Sequence, residues 1–390
     1  MSARVILPRI MEIGKGASLQ APSVLKTLGV SKPLIVTDKM MVQLGYAENL
    51  ENALKEAGIT PSVFSETIPE PTASSIEAGV KMVREGGFDS IIALGGGSPI
   101  DSAKAISIVG KFGGIIRDYK FPRDVCEAGL PIVAIPTTAG TGSENTRVTV
   151  ITDDEKGEKM MCAGLGFMPT AALIDYELTV SLPPRVTADC GLDALTHAME
   201  AYVSQKKNAF SSMQALTAMK LIGQNLRLAY HEPSNETARE AMMLGASLAG
   251  MAFSNASVAL VHGMSRPIGA FFHVPHGLSN AMLLPVLTEF SIKGSEDRYA
   301  DCARALGVAA ADDDDNTACD KLITELRALN EELQVPTPFA YGINEQEYMS
   351  LLTTMAEQAQ ASGSPGNNPR VPSIEEMVEL YKKVWTEGAE

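Results

Sequence analysis

The sequence has no block of lysine or arginine, no Cys-x-x-Cys pair, no long repeat and no G-x-G-x-x-G fingerprint. Each absence removes a class of function. With 32 Lys+Arg against 47 Asp+Glu, a formal charge of −15 and no basic cluster, a nucleic-acid partner is excluded, because binding to a phosphate backbone depends on gathered cations. The five cysteines, Cys126, Cys162, Cys190, Cys302 and Cys319, are odd in number and far apart. Neither a disulfide framework nor a thiolate zinc site is expected from them, and a reducing, cytoplasmic setting fits. The first residues, Met1-Ser-Ala-Arg-Val-Ile-Leu-Pro8, carry one positive charge and no apolar run follows, so no signal peptide is expected. A charge-free stretch, Ala241–Ser265, is long enough to span a bilayer. It holds Gly245, Ser247, Gly250, Ser254, Asn255, Ser257, His262 and Gly263, and it reads as a buried core helix; no membrane partner is expected.

What is present suits a folded chain rather than a disordered one. The 390 residues are 45% apolar and 20% charged, enough for two domains with substantial cores. Up to about residue 180, β-branched runs (Pro33–Asp38, Ser62–Ser65, Asp89–Leu94, Pro131–Ile135) alternate with helical stretches (through Ala53–Ala57, Ser74–Glu85, Ile100–Val109). That alternation implies a mainly parallel, Rossmann-like sheet covered on both faces. After Leu182-Pro183-Pro184 only helical periodicity remains, over Asp189–Leu228, Glu236–Met264 and Asp315–Leu333, with a capping box at Ser373 and Glu376 opening a last helix. The expected fold is therefore α/β followed by all-α, with domains at 1–182 and 183–390. Asp312–Asp315 reads as a solvated loop before a helix, and Ser362–Pro369 as a loop that could move.

The strand ending at Leu94 runs into Gly95-Gly96-Gly97-Ser98-Pro99-Ile100-Asp101 and a helix. Ser98 suits the N-cap, Pro99 the first turn and Asp101 the N3 position. Glycines let the chain approach a ligand, and a helix start offers free N–H groups to an anion; a plain tight turn is the alternative. A second loop, Pro136-Thr137-Thr138-Ala-Gly-Thr-Gly-Ser143, again closes a strand with small hydroxyl residues. Asp38 closes a third strand. Its carboxylate could accept ribose hydroxyls and repel a 2′-phosphate, favouring NAD over NADP, or it could simply serve a turn.

All five histidines fall between residues 197 and 276. Asp193 and His197 are spaced to share a helix face; His262 closes the charge-free stretch and His276 follows in His273-Val-Pro-His-Gly277. One carboxylate with three imidazoles suits Fe(II) or Zn(II), and the absence of a cysteine ligand leans away from structural zinc.

Taken together, Val36–Lys39, Gly95–Pro99, Thr137–Glu144, Gly191–His197 and His273–Gly277 resemble the iron-containing (group III) alcohol dehydrogenase family over essentially the whole chain. The resemblance implies a dinucleotide-binding first domain, a helical second domain, an active site in the cleft between them, and a homodimer or larger homo-oligomer. It places the metal ligands at Asp193, His197, His262 and His276. It places cofactor contacts at Asp38, at the glycine loop through Gly96, Gly97 and Ser98, and at Thr137, Thr138, Thr146, Lys159 and Leu178. The implied reaction is NAD(H)-linked interconversion of a small alcohol and aldehyde. His273 is a candidate proton relay, with packing or cofactor contact as the alternative. Glu200, one turn past His197, is a candidate to orient that ring, or else an exposed helix carboxylate.

Two positions depart from the family pattern. Glu70 stands before Pro71-Thr72 where Asn is common, which puts that cofactor contact in doubt. Arg266 stands one turn after His262 where many relatives have a second histidine. Arg266 is the sole formally charged residue between Ala241 and Thr288, and a guanidinium does not shed its proton, so it needs an anion. That anion is either Glu200 or Glu144, or a carboxylate or sulfonate tail on the substrate, as in a semialdehyde or sulfoacetaldehyde. The other readings are a dehydrogenase of neutral substrates (lactaldehyde/1,2-propanediol or 1,3-propanediol), a dehydroquinate-synthase-like lyase, and an inactive metal- or nucleotide-binding module.

Overall fold

A computed structural model describes residues 2–387. The chain divides into two compact units, Ile6–Ser181 and a second that joins the residues before Ile6 to those from Leu182 onward.

The first unit is built on a six-stranded parallel sheet. Its strands are β1 (Ile10–Ile13), β2 (Pro33–Val36), β3 (Ser62–Phe64), β4 (Ser90–Gly95), β5 (Ile132–Pro136) and β8 (Ala171–Ile174), in the order β1-β8-β5-β4-β2-β3. β6 (Val148–Asp153) and β7 (Glu158–Ala163) form a separate antiparallel hairpin. The helices are α1 (Ala21–Leu28), α2 (Lys39–Gln43), α3 (Tyr46–Glu56), α4 (Glu77–Gly86) and α5 (Gly97–Phe112). β2, β4, β5 and β8 are buried along their whole length, as near-continuous apolar strands covered on both faces must be. One core gathers Val36, Ala93 and Ile106 on one face; a second gathers Ile35, Ile92 and Leu54 on the other. Because β3 and β4 lie on opposite sides of β2, strand order reverses between β2 and β4. Ligands of open α/β sheets bind at such a switch point, beyond the carboxyl ends of the strands.

The second unit is helical throughout its described residues: α6 (Pro184–Val203), α7 (Ala209–His231), α8 (Glu236–Ser254), α9 (Leu260–Phe272), α10 (His276–Ile292), α11 (Glu296–Leu306), α12 (Asp315–Glu332), α13 (Glu345–Ala361) and α14 (Ile374–Thr386). α10 buries every residue from Leu278 to Thr288, as expected of a helix that is apolar on all sides. The Ser373–Glu376 capping box closes at the start of α14, and Asp314 caps α12. Among the described residues no helix is long and apolar enough to cross a membrane.

Three expectations are corrected. The charge-free stretch Ala241–Ser265 is not one helix: it breaks between Ser254 and Leu260, where Ser257 adopts a left-handed backbone (φ 72°). His262 therefore sits in the first turn of α9 rather than at the end of a long helix. The loop Ser362–Pro369 is tied down, because the Asn367 amide donates to Ser257 Oγ and to Val258 O, both at 3.0 Å, and so satisfies backbone exposed by that break. Ser98 is not the N-cap of α5; Gly96 is, and the helix starts at Gly97. The four strands read from sequence are found with small boundary shifts, while β1, β6, β7 and β8 were not foreseen.

Candidate functional site

In the helical unit, Asp193 and His197 stand a turn apart on α6, His262 is the third residue of α9, and His276 is the first of α10. One nitrogen or oxygen from each lies within 4.8 Å of the others. Asp193 Oδ1 is 3.9 Å from His197 Nδ1, 3.5 Å from His262 Nε2 and 3.7 Å from His276 Nε2. Ligands bonded to one ion at 2.0–2.2 Å in a tetrahedron stand roughly 3.4 Å apart, so this spacing fits a single divalent cation with little adjustment. The side chains of Asp193, His197 and His262 are at most 5% exposed, whereas His276 is 44% exposed; the cluster is sealed on three sides and open on one.

The packing explains why those residues meet. Gly277 follows His276 because a Cβ there would stand 2.4 Å from Asp189 O and 3.3 Å from Asp193 Cβ, so only glycine lets α10 begin against α6. His197 is sandwiched between Phe253 (ring centroids 4.1 Å apart) and His262 (4.4 Å). Burial alone would raise the Asp193 carboxyl, but His197, His276 and His262 hold it well below the usual carboxylate range. The His262 ring is disfavoured as a cation by burial, yet Asp193 and Glu200 outweigh that and raise it. Both directions have one cause, opposite charges held close together away from water.

Glu200 is neither exposed nor bound to His197. It is 4% exposed, and its carboxylate accepts from Ala259 N (2.9 Å), Val261 N (2.5 Å) and His262 Nδ1 (2.7 Å). It thus caps the start of α9 and fixes the His262 tautomer, leaving Nε2 free to face the cluster. Asn280, one turn past His276 on α10, was missed. Its amide nitrogen lies 2.7 Å from Asp193 Oδ1 and 3.1 Å from His262 Nε2, and the only signal for it was its i+4 spacing from a histidine.

Arg266 is half-buried on α9, and burial lowers its pKa from the ordinary guanidinium range while Glu200 raises it. Its guanidinium donates to Ser364 Oγ at 3.0 Å. No ion pair joins it to a carboxylate among the described residues, so of the alternatives the pair with Glu200 is not formed. His273 caps α9 in a left-handed conformation (φ 55°) and is exposed, so it does not serve packing. A non-glycine residue in that conformation is strained, and such strain gathers at functional positions.

In the α/β unit, Gly95 pairs with Pro136 and Val36 with Ala93, so β2, β4 and β5 release Asp38, the glycine loop and the threonine loop at one level beside the switch point. A Cβ on Gly96 would stand 3.3 Å from Thr138 Cγ2, and one on Gly97 would stand 3.0 Å from Thr141 Cγ2. The two loops are therefore in contact, and bulkier residues would fill the space between them. Thr138 Oγ1 is buried without a hydrogen-bond partner, which a buried hydroxyl rarely tolerates unless a ligand completes it. A dinucleotide phosphate fits this cradle. Thr137 is buried, with its N–H on Gly95 O at 3.0 Å. Ser98 Oγ accepts from Glu70 N at 3.3 Å, and Glu70 in turn holds Lys159 at 2.7 Å; Lys159 thus reaches the glycine loop through the residue that departs from the family pattern. Asp38 is half-buried and caps α2 by accepting from Met41 N at 2.9 Å. Leu178 lines a small cavity of about 190 Å³ with Leu94 and Ile135. Thr146 turns inward and accepts from Lys104, a residue sequence reasoning missed.

The fold, a parallel-sheet unit followed by a helical unit that holds an Asp–His₃ cluster, agrees with the comparisons. Residues 8–176 match the family described as iron-containing alcohol dehydrogenase, and residues 187–385 match the C-terminal part of the Fe-containing alcohol dehydrogenase family. The chain is 34% identical to lactaldehyde reductase of Escherichia coli (strain K12), covering 99% of this chain and 100% of that protein. A crystal structure of 1,3-propanediol oxidoreductase superposes with a TM-score of 0.94 at 32% identity, over 98% of this chain and 100% of that one. Sulfoacetaldehyde reductase from Bifidobacterium kashiwanohense in complex with NAD+ superposes at 0.90 with 28% identity, over 99% of this chain and 100% of that one. The chain belongs to the iron-containing alcohol dehydrogenase family. It is an oxidoreductase of the alcohol dehydrogenase and aldehyde reductase type, which leaves the lyase and inactive-module readings without support.

Proposed function

We propose that this enzyme interconverts a short aldehyde and its primary alcohol with NAD(H), and that its preferred substrate carries a carboxylate or sulfonate. Asp193, His197, His262 and His276 would hold Fe(II), or Zn(II) in its place, and that cation supplies a Lewis acid for the substrate oxygen. The bound nicotinamide supplies or accepts the hydride. Glu200 keeps His262 in its ligating tautomer, and Asn280 steadies the Asp193 oxygen. His273, exposed and in a left-handed conformation, would pass the proton between substrate oxygen and solvent. The glycine and threonine loops take the pyrophosphate, and Asp38 selects a ribose without a 2′-phosphate. The enzyme works in the cytoplasm as a homodimer or larger homo-oligomer.

The anionic preference rests on one observation: Arg266, a turn from His262 on α9, is half-buried with a serine hydroxyl as its hydrogen-bond partner and no carboxylate. A cation in that setting is stabilised by an anionic ligand. The names of relatives favour a second reading as well, since lactaldehyde and 1,3-propanediol are neutral. The deciding experiment measures kcat/KM for sulfoacetaldehyde and for a neutral aldehyde of similar size, with wild type and Arg266→Ala. The clamp requires a loss of roughly 30-fold or more, about 2 kcal/mol, on the charged substrate alone. Equal losses on both substrates contradict it.

A further inference from the structure

Asp101 and Lys104 lie one turn apart on α5, the helix that the glycine loop opens, and neither takes part in the chemistry above. Lys104 is fully buried. Its ammonium donates to Ser143 O (2.8 Å), Ser143 Oγ (3.0 Å), Thr146 Oγ1 (2.8 Å) and Val148 O (2.8 Å). An ammonium has three N–H groups, so these four oxygens saturate it. Asp101 adds three more ties: Oδ1 accepts from Ser143 Oγ at 2.7 Å, Oδ2 from Val150 N at 2.9 Å, and its carbonyl from Thr149 Oγ1 at 2.9 Å. Every one of these bonds joins α5 to residues 143–150, the continuation of the threonine loop.

Taking an ammonium out of water beside a largely buried carboxylate is costly even when both are bonded, and apolar side chains of similar size would pack there more cheaply. The arrangement contributes position rather than raw stability. What it positions is the gap between Gly96 and Thr138 and between Gly97 and Thr141, where the spacing leaves no room for a Cβ without movement. We propose that Lys104 is a positioning residue for the cofactor cradle: it clamps the loop 136–146 onto α5, so that both halves of the phosphate site are formed before the dinucleotide arrives, although Lys104 itself lies beneath the site. This rests on reading the two loops as the cofactor site.

The test uses the full-length enzyme with Lys104→Met, which keeps an unbranched chain and removes the N–H groups. Three quantities are read: the NADH dissociation constant by nicotinamide fluorescence, hydrogen exchange of amides 137–150 without ligand, and metal content. The clamp predicts an NADH constant raised at least tenfold, faster exchange confined to 137–150, and metal content and aldehyde KM at saturating NADH within twofold of wild type. A folded variant with an NADH constant within twofold of wild type, or with unchanged exchange, overturns it.

A second measurement follows the same two proteins across pH. Burial lowers the Lys104 pKa to about 8 against the opposing charges of Asp101 on α5 and Glu144 on the loop. NADH binding by the wild type should weaken as pH rises from 7 to 9.5 and lose that slope in Lys104→Met; a slope of equal size in both proteins overturns the clamp. Wild type that binds NADH beside an equally tight Lys104→Met overturns the clamp alone; wild type that binds no NADH overturns the cofactor reading and the clamp with it.

Discussion

The helical unit and the α/β unit build their sites by opposite means. The metal centre gathers strongly interacting side chains, three imidazoles around one carboxylate at 3.5–3.9 Å, and uses backbone mainly to bring helices close. The cradle uses backbone and small hydroxyls at the surface and keeps its charged groups, Asp101 and Lys104, underneath. A site made of side chains fails when one side chain is lost; a site made of backbone fails gradually, as its geometry loosens. The contrast predicts steep losses on one side of the molecule and graded ones on the other.

The steepest loss is expected for Asp193→Ala. Removing the sole carboxylate of the cluster should abolish metal retention and lower kcat/KM by about 4 kcal/mol or more, roughly a thousandfold, while NADH binding stays within twofold. Metal analysis beside fluorescence titration checks both halves. Glu200→Gln should come next: it keeps the shape but weakens the support of His262 and of the first turn of α9, so metal affinity should fall 10–100-fold. An unchanged affinity in a metal-buffered titration would mean that Glu200 only caps the helix.

A gentler effect concerns pH. The folded pKa of Lys104, about 8, lies below its unfolded value of 10.5. Between those values the folded protein binds fewer protons than the unfolded chain, so this group's destabilising contribution, fully present below pH 8, fades as pH rises. Weaker NADH binding above pH 8 should therefore not come with a Lys104-driven fall in melting temperature, which scanning calorimetry at pH 7.5 and 9 would check against Lys104→Met. The smallest change is expected for Asp38→Ala, which should narrow the preference for NADH over NADPH several-fold and leave metal content untouched. A preference that does not move would assign Asp38 to capping α2 alone.

The same contrast explains what could be read in the sequence. Histidines are few, and Asp193 and His197 share a helical period, so the metal centre was legible before any fold was known. The glycine loop was legible because Gly95–Gly97 and Ser98 follow an apolar strand. Lys104 was not: a lysine at the eighth position of a helix looks like a solvated one, and its partners come from residues 143–148, brought across α5 by the fold. The break before His262 was equally hidden, since nothing local in Asn255–Ala259 reveals that Glu200, far away in sequence, satisfies the amides of α9. The strand β8 was missed because Ala171–Ile174 is only four residues long and half alanine, and β7 because it opens on Glu158 and Lys159; β6 has the β-branched composition of a strand and was overlooked. Local pattern showed the elements; the long-range hydrogen bonds that place them lay outside it.

The account's central claim is that turnover requires a divalent cation held by Asp193, His197, His262 and His276. It is tested most directly by purifying the enzyme without oxygen, stripping it with a chelator, and following NADH-linked aldehyde reduction as Fe(II) is returned. Activity should vanish on stripping and return in proportion to metal bound, saturating at one ion per chain. Full turnover by the stripped enzyme would contradict it.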